Sequence, residues 1–194
     1  MAIDFARTSY EGRTPAIWRG ECKVLPGGFK PKNNLAKGAV LLRATPLYVD
    51  FSDMTAAVVK ASKVLEGGTT TKPRIAKGSY FVVGDKVTKI GGAGTPTISA
   101  IDTSNAGYDV ISLSAAITGL AANDVIAEAE TEGEGKYTPN MVVAADLEIK
   151  DKLDTIDAAY EALILEKNIP YIVLDSWKQG VCLKSNPNIM FINQ

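Results

Sequence analysis

Short apolar runs separated by turn residues follow one another through the middle of the chain. The runs cover residues 39–42, 47–51, 56–65, 74–76, 80–83 and 86–90, and Gly, Pro, Ser or Asp turn signals separate them. Runs of this length at this close spacing are typical of antiparallel β-strands. The gaps between them are too short for a helix of useful length. The pattern therefore predicts a mainly β fold, with a small antiparallel β-barrel or sandwich over residues 38–130.

A hairpin is the most regular unit of this region. Residues 96–102 and 108–113 alternate in side-chain character on either side of a turn at residues 104–107. Alternation with a period of two places one face of a strand on a core and the other face in water. We therefore expect two paired strands with one buried face.

The first 37 residues have a different character. They mix basic residues, glycine and proline with spaced aromatic residues, and they show neither a helical nor a strand period. Pro15, Pro26 and Pro31 would each interrupt a helix or a central strand. The sequence predicts an extended N-terminal arm over residues 1–37. Its large aromatic side chains need a covering surface, which is either the chain's own body or another subunit.

An acidic, glycine-rich stretch at residues 128–136 marks a plausible boundary, after which residues 131–194 are expected to form a C-terminal α+β region. One helix is predicted here, starting at Asp151 or Asp154 and ending near Lys167. Its apolar residues recur at three- and four-residue steps, and they are Leu153, Ile156, Tyr160, Leu163 and Ile164. Short strands are predicted at residues 141–144, 169–174, 180–183 and 189–192. We expect this region to pack on the barrel or on a neighbouring subunit.

Two segments of the chain carry net charges of opposite sign. Residues 1–43 carry eight Lys and Arg against three Asp and Glu, a net charge of +5, whereas residues 119–166 carry three against twelve, a net charge of −9. Such asymmetry can steer the arm of one subunit onto the acidic face of another. The alternative is two independently solvated faces. The net charge of the whole chain is −1, which favours neither disorder nor nucleic-acid binding.

The chain lacks the residues that several kinds of chemistry usually require. The chain has no His, and this removes the usual general base and the commonest transition-metal ligand. No apolar run approaches the roughly 18 residues of a membrane span, and the first residues do not resemble a signal peptide. We therefore expect a protein that is made in the cytoplasm and stays off the membrane, with no cofactor and no metal.

Three local patterns raise the question of a ligand or a reaction. The glycine-rich stretch at residues 91–95 lacks the Lys and the helix of a phosphate loop, so a turn between strands is the better interpretation. Residues 102–113 superficially resemble a calcium-binding loop. Ala106 and Leu113, however, stand where oxygen ligands are needed, so a turn is the better interpretation. Asp85, Asp102 and Asp109 would be the carboxylates of a His-independent enzyme, and nothing pairs them in sequence. The sequence therefore predicts no enzymatic activity.

Aromatic and arginine residues near the start of the chain are the best candidates for a binding surface. Tyr10, Arg13, Trp18 and Arg19 would suit contacts with protein, because aromatic and Arg side chains dominate binding energies at buried interface centres. Ordinary packing, or a stacking platform for sugar or single-stranded nucleic acid, are the alternatives. The remaining candidates for protein interfaces are Phe29 and Trp177.

Two groups of sequence strings resemble one family. The first comprises residues 8–18 (TSYEGRTPAIW), 37–40 (KGAV) and 45–50 (TPLYVD). The second comprises residues 67–78 (GGTTTKPRIAKG), 81–85 (FVVGD) and 98–109 (ISAIDTSNAGYD). Together they are similar to the head fiber or capsid decoration proteins of tailed phages and prophages of Bacteroidales-type bacteria. The second group is similar to the recurring β-barrel unit of those proteins.

The resemblance implies a setting and a set of partners. It implies a phage structural protein on the capsid exterior of the virion, self-association as a dimer or trimer, contact with the major capsid protein and no catalysis. The alternative function is a carbohydrate-binding adhesion module on the virion surface that contacts a host-surface glycan. That module would need exposed aromatics clustered on one barrel face, whereas Tyr48, Tyr80, Phe81 and Tyr108 are expected in the core.

Overall fold

The computed structural model describes residues 16–25, 28–150 and 155–193. Within these residues the protein is mainly β, with seventeen short strands and two single-turn 3₁₀ helices at Glu166–Asn168 and Asp175–Trp177. The strands of the first half are β1 (Lys23–Val24), β2 (Lys30–Pro31), β3 (Val40–Leu41), β4 (Pro46–Asp50), β5 (Thr55–Val58), β6 (Ala61–Leu65), β7 (Arg74–Ile75), β8 (Val87–Lys89) and β9 (Ile98–Asp102). Those of the second half are β10 (Asp109–Leu113), β11 (Val125–Glu128), β12 (Met141–Val143), β13 (Leu147–Glu148), β14 (Ala158–Leu165), β15 (Lys178–Gln179), β16 (Cys182–Leu183) and β17 (Asn186–Ile192).

A large sheet combines strands from both ends of the chain. Its order is β15-β16-β17-β14-β12-β4-β5-β2, and β1 also pairs with β14. Strands β4 and β5 come from the region predicted as the barrel, whereas β12 and β14 come from the region predicted as a C-terminal unit. The pairing of β4 with β12 therefore joins in one sheet a segment predicted to lie in the barrel and a segment predicted to lie in the C-terminal region.

The second sheet is built from one continuous part of the chain, residues 61–128. It has six strands in the order β8-β11-β6-β7-β10-β9, and it curls into a half-barrel. An antiparallel bridge between Lys86 and Thr97 brings the starts of the two edge strands together. The predicted hairpin is confirmed as β9 and β10, with Ile101 opposite Ile111. Ile98, Ile111 and Ile126 are among the residues that fill the interior.

The described part of the predicted N-terminal arm lies on the chain's own body. Trp18 forms a bridge with Ile164, β1 pairs with β14, and β2 pairs with β5. The Phe29 side chain is only 1% exposed and belongs to a core cluster of the large sheet. The backbone of this segment therefore pairs with strands of the same chain, while side chains such as Arg19, Lys23 and Val24 stay exposed. An extended arm over residues 1–15 lies outside the described residues.

The predicted C-terminal helix is wrong. Residues 151–154 lie outside the described part, and Ala158–Leu165 form strand β14 in the interior of the large sheet. Strand β14 is antiparallel to β12 and parallel to β17. Because neighbouring elements cover both of its faces, its buried residues do not alternate strictly, and the apolar spacing happens to match a helical period.

Ion pairs within the single chain neutralise part of the charge asymmetry between its basic and acidic segments. Lys23 on β1 pairs with Glu161 on β14, at 2.8 Å between Nζ and Oε2. Arg43, before β4, pairs with Asp146, before β13, at 3.0 Å. Basic residues of segment 1–43 thus form ion pairs with acidic residues of the same chain. Among the described residues, no helix is long and apolar enough to cross a bilayer.

Candidate functional site

The six interface candidates of the sequence lie in different parts of the chain and differ in how exposed they are. Tyr10 and Arg13 lie outside the described residues. Phe29 and Trp177 are buried in the chain's own core, at 1% and 5% exposure. Trp18 is half-buried and Arg19 is exposed, and both lie where the described chain begins. Only Trp18 and Arg19 therefore remain, among the described candidates, as side chains that a partner can reach.

A surface groove surrounds Trp18, and we call it the Trp18 groove. It has a volume of about 410 Å³ and a largely apolar lining. The lining residues are Ala16, Ile17, Trp18, Leu42, Arg43, Asp146, Asn168 and Pro170. They come from the first described residues, the turn before β4, the segment before β13 and the turn after β14. The groove therefore forms only when these four distant segments have folded together.

Backbone pairing fixes the first wall of the groove. The Arg19 amide donates to the Leu163 carbonyl oxygen at 2.8 Å, and the Leu165 amide donates to the Ile17 carbonyl oxygen at 2.8 Å. The Asn168 side chain donates to the Ala16 carbonyl oxygen at 2.7 Å. These bonds hold Trp18 at a fixed position beside β14.

An ion pair forms the opposite wall. The Asp146 carboxylate accepts hydrogen bonds from the Arg43 backbone amide at 2.7 Å and from the guanidinium at 3.0 Å and 3.3 Å. These bonds lower the pKa of Asp146 and raise the pKa of Arg43. The Tyr171 hydroxyl donates to the Arg43 carbonyl oxygen at 2.7 Å, and burial raises the pKa of Tyr171. The Arg43–Asp146 pair therefore gives this wall charged groups, and the hydrogen bonds to Arg43 hold the wall in one shape.

A buried charge cluster lies where the chain passes between the two sheets. Lys60 sits between β5 and β6, and its side chain is 0% exposed. Its Nζ atom lies 2.6 Å from Asp85 Oδ2 and 3.8 Å from Glu128 Oε2. The side-chain amide of Asn33 donates to the Glu128 carboxylate at 3.2 Å and to the Val58 carbonyl oxygen at 2.8 Å. The cluster thus ties the half-barrel to the large sheet.

A polar cleft of about 510 Å³ opens beside this cluster, and its lining includes Asp85, Glu128, Glu130 and Lys136. A buried Lys beside two carboxylates can serve as an acid–base group in an enzyme. Here the carboxylates already have partners, since Asp85 also accepts from the Val82 amide at 2.9 Å and Glu128 lies 3.6 Å from Lys136. The arrangement is better explained as a structural tie.

The other carboxylates of the enzyme hypothesis have structural partners too. Asp102 accepts a hydrogen bond from the Ser104 amide at 2.9 Å, which lowers the pKa of Asp102. Asp109 accepts from the Lys77 ammonium at 2.6 Å. The Asn105 side chain accepts from the Gly107 amide at 2.9 Å. The calcium-like stretch is thus a pair of side-chain-stabilised turns.

Sequence reasoning missed a second surface at the tip of the β4–β5 hairpin, and we call residues 51–54 the β4–β5 tip. Phe51 and Met54 are large apolar side chains that remain 57% and 48% exposed there. From the sequence, Phe51 is expected at the end of a strand. Its exposure depends on where the turn begins, which the alternation of apolar residues does not specify.

Comparisons of the chain with protein-family models, with curated proteins and with solved structures found no match. Among the described residues, no group of three or more Cys, Asp and Glu is placed to hold a metal ion.

Proposed function

We propose that this chain is a structural protein of a tailed-phage or prophage virion, attached to the capsid exterior as a head fiber or decoration protein. It acts by protein–protein binding and catalyses no reaction. Its partners are further copies of itself, as a dimer or trimer, and the major capsid protein. It is made in the bacterial cytoplasm and ends on the capsid surface.

The observation that carries this proposal is the Trp18 groove. An aromatic side chain, flanked by apolar residues and one fixed ion pair, is presented at the surface beside Ala16, the first described residue. Protein interfaces combine an apolar, aromatic centre with a charged rim in this way. Tyr10 and Arg13 belong to the adjoining segment, so four of the six candidate residues come from one short stretch of chain.

The internal polar contacts support a structural role. Asp85, Asp102 and Asp109 are each engaged by a backbone amide or a Lys ammonium of the chain itself. A carboxylate that serves as a general acid or base has to reach a substrate proton. These carboxylates instead stabilise turns and ion pairs, which suits a rigid building block.

The carbohydrate-binding alternative finds less support. A sugar platform needs an aromatic ring with one face open, yet Phe81 is buried and Tyr48 stacks on Tyr137 at 5.4 Å between ring centroids. The Arg74 guanidinium lies 4.6 Å from the centre of the Tyr108 ring. These contacts occupy ring surface that a sugar would use.

Rebinding to capsids tests the proposal. Purified capsids of the phage that encodes the chain, prepared without it, are mixed with recombinant protein and sedimented. We expect the full chain to sediment with the capsids and a variant without residues 1–15 to bind much less. A Val83→Ser variant, which changes an exposed apolar residue of the half-barrel, is the matched control and should bind like the unchanged chain.

Two outcomes would count against the proposal in different ways. Failure of the full chain to sediment with capsids would remove the virion assignment. Unchanged binding by the variant without residues 1–15 would remove the docking role of that segment. Specific binding of the full chain to a glycan array would favour the adhesion function instead.

A further inference from the structure

The buried charge cluster between the two sheets holds a lysine amine within reach of a carboxyl carbon. The Lys60 Nζ atom is 2.6 Å from Asp85 Oδ2. The Asp85 carboxyl carbon is one bond from that oxygen, so it lies no more than about 4 Å from Nζ. Groups held this close in a suitable orientation react far faster than the same groups free in solution. The placement therefore suits the formation of an amide as well as an ion pair.

Backbone hydrogen bonds fix the positions of the three charged residues. The Glu128 amide donates to the Lys60 carbonyl oxygen at 3.0 Å, so these two residues lie side by side. The Asp85 carbonyl oxygen accepts from the Ile98 amide at 2.8 Å. The Asp85 side chain is held as well, because its Oδ2 atom accepts from the Val82 amide at 2.9 Å. The nitrogen and the carbon of the prospective amide are thus preorganised.

Glu128 supplies a second carboxylate beside the lysine. Its Oε2 atom is 3.8 Å from Lys60 Nζ and accepts from the side-chain amide of Asn33 at 3.2 Å. Its other oxygen lies 3.6 Å from Lys136 Nζ. These contacts keep the Glu128 carboxylate beside the Lys60–Asp85 pair. A carboxylate in this position can take a proton from the amine nitrogen and return it to a leaving oxygen.

Burial of the cluster favours the amide over the ion pair. The side chains of Lys60, Asp85 and Glu128 are 0%, 7% and 9% exposed. Two charges removed from water carry a large desolvation cost, whereas an amide carries no charge. Exclusion of bulk water also opposes the reverse reaction, hydrolysis. The polar cleft lined by Asp85 and Glu128 gives a released water molecule a way out.

We propose that Lys60 and Asp85 join in an isopeptide bond once the chain has folded, with Glu128 as the proton carrier. The Lys60 ammonium passes one proton to Asp85 Oδ2, and the neutral amine nitrogen then attacks the carboxyl carbon. Glu128 takes a second proton from that nitrogen and gives it to Oδ2. The bond between the carbon and Oδ2 breaks, one water molecule leaves, and the new carbon–nitrogen bond is an amide. The reaction needs no oxidant, reductant or further reactant.

The bond closes a covalent loop within the half-barrel. Lys60 precedes β6, and Asp85 lies 25 residues later in the turn before β8, so the loop encloses β6 and β7. An amide, unlike a disulfide, persists in a reducing compartment. The reaction occurs once per chain and turns over no substrate. The inference is therefore independent of the proposed function, and chain that has not reacted keeps the ion pair.

A second ion pair of the half-barrel serves as an internal comparison. Lys77 Nζ lies 2.6 Å from Asp109 Oδ1, the same separation as between Lys60 Nζ and Asp85 Oδ2. The Lys77 side chain, however, is 37% exposed, and among the described residues no second carboxylate forms an ion pair with it. Because burial and a proton carrier are missing there, we expect no amide between Lys77 and Asp109.

Mass spectrometry of the purified, denatured chain tests the proposal. The unchanged chain should be one water molecule lighter than the mass calculated from its sequence, after allowance for any loss of Met1. Trypsin should no longer cleave after Lys60, and the digest should contain residues 44–63 joined to residues 78–86. Cleavage after Lys77 should be normal, because that lysine stays free.

Substitutions of the two joined residues provide the first comparison. Lys60→Arg keeps the positive charge but lacks the amine, and Asp85→Ala lacks the carboxyl carbon. Both variants should have their full calculated masses. Lys77→Arg is the matched control, since it changes the lysine of the other ion pair, and it should lose one water molecule like the unchanged chain.

Substitutions of Glu128 test its role in proton transfer. Glu128→Gln keeps the size of the side chain but cannot take up a proton, and bond formation should slow by about 100-fold or more. Most of the freshly purified Glu128→Gln protein should therefore have its full mass. Glu128→Asp retains a carboxylate and should form the bond in part. Circular dichroism establishes that each variant is folded.

The mass of the unchanged chain is decisive. If the folded, unchanged chain has its full calculated mass, the proposal is wrong. It is also wrong if water is lost while trypsin still cleaves after Lys60, since the loss then lies elsewhere. Complete bond formation in Glu128→Gln would remove Glu128 from the reaction. Because no capsid or partner enters these measurements, their failure and the failure of the capsid-binding test are distinguishable.

Discussion

The Lys60 ammonium lies 2.6 Å from the Asp85 carboxylate, and the Lys60 side chain is fully buried at the junction of the two sheets. Asp85 belongs to the turn before β8, whereas Lys60 lies between β5 and β6. A buried ion pair adds little net stability compared with an apolar pair of similar volume, but the loss of one partner is costly. Its main effect is therefore to favour one arrangement of the half-barrel against the large sheet.

Lys60→Met should destabilise the protein strongly. The substitution leaves Asp85 buried without its cation and removes one of the two cations near Glu128, which keeps Lys136 at 3.6 Å, and the expected loss in the free energy of unfolding is about 3–5 kcal/mol. Urea unfolding measures this loss. Lys37→Met, at an exposed lysine, is the control and should change stability by no more than about 0.5 kcal/mol. Equal effects of the two substitutions would contradict the structural role of the cluster.

Adding Asp85→Asn to Lys60→Met should recover part of the loss. The double variant removes the carboxylate that Lys60→Met leaves without a cation, so the costs of the single substitutions are not additive. We expect a coupling of roughly 0.5–3 kcal/mol in a double-mutant cycle. Strict additivity would mean that the two side chains do not interact in solution.

Ala162→Leu distinguishes the observed strand from the helix that the sequence predicts. In β14 the Ala162 side chain is buried between neighbouring strands, so a larger side chain overpacks the core and should cost about 1–3 kcal/mol. In the predicted helix Ala162 would face away from the apolar residues, and Leu would be tolerated. Chemical unfolding provides the measurement. Ala106→Leu, in an exposed turn, should have little effect.

Phe29→Ala tests whether the N-terminal segment is covered by its own chain. Phe29 belongs to the core of the large sheet, so its removal should cost about 3–5 kcal/mol at any protein concentration. Trp18→Ala, at a half-buried position, should cost less. A loss for Phe29→Ala that appears only at concentrations where copies associate would instead place Phe29 at an interface between copies.

Acid should loosen the β4–β5 tip. The Ser52 hydroxyl, and after it the Lys32 ammonium, lowers the pKa of Asp50 from 3.8 to about 2. Because the pKa in the folded state is lowered, the carboxylate stabilises the fold above pH 4, and this contribution is lost as the pH falls from about 4 to 2. Asp50→Asn should therefore cost stability at pH 7 and progressively less below pH 4. A difference from the unchanged chain that stays constant with pH would contradict this assignment.

Turn chemistry made much of the half-barrel predictable. The β9–β10 hairpin was expected at residues 96–102 and 108–113, and it forms at Ile98–Asp102 and Asp109–Leu113. Asp102 and Asn105 bond to backbone amides of the intervening turn, and such local bonds can be predicted from local sequence.

Strand β14 was not predictable in the same way. Ala158, Ala159, Glu161 and Ala162 favour a helix by intrinsic propensity. The strand is stabilised instead by β12 and by β17, whose pairing with β14 is parallel and distant in sequence. Long-range pairing overrides local preference, and no short window of sequence reveals it.

The candidate surfaces were predicted only in part. Trp18 was identified because aromatic and Arg side chains dominate binding energies at interface centres, and Trp18 lies beside Arg19 in a segment without a helical or strand period. Phe51 and Met54 were missed because their exposure results from the bonds of Asp50 and Asp53, which define the turn. Phe29 and Trp177 were assigned to interfaces, yet in the single chain both are buried. Sequence alone did not show that the chain's own strands cover them.

The position of β14 also bears on how fast the protein reaches its native state. Glu161 on this strand bonds to Lys23, 138 residues earlier in the chain, whereas all six strands of the half-barrel come from residues 61–128. Distant pairings require the closure of long loops, which costs entropy and slows folding. The half-barrel is therefore expected to acquire its strand pairing first, and the large sheet to assemble around it in a later, slower kinetic phase.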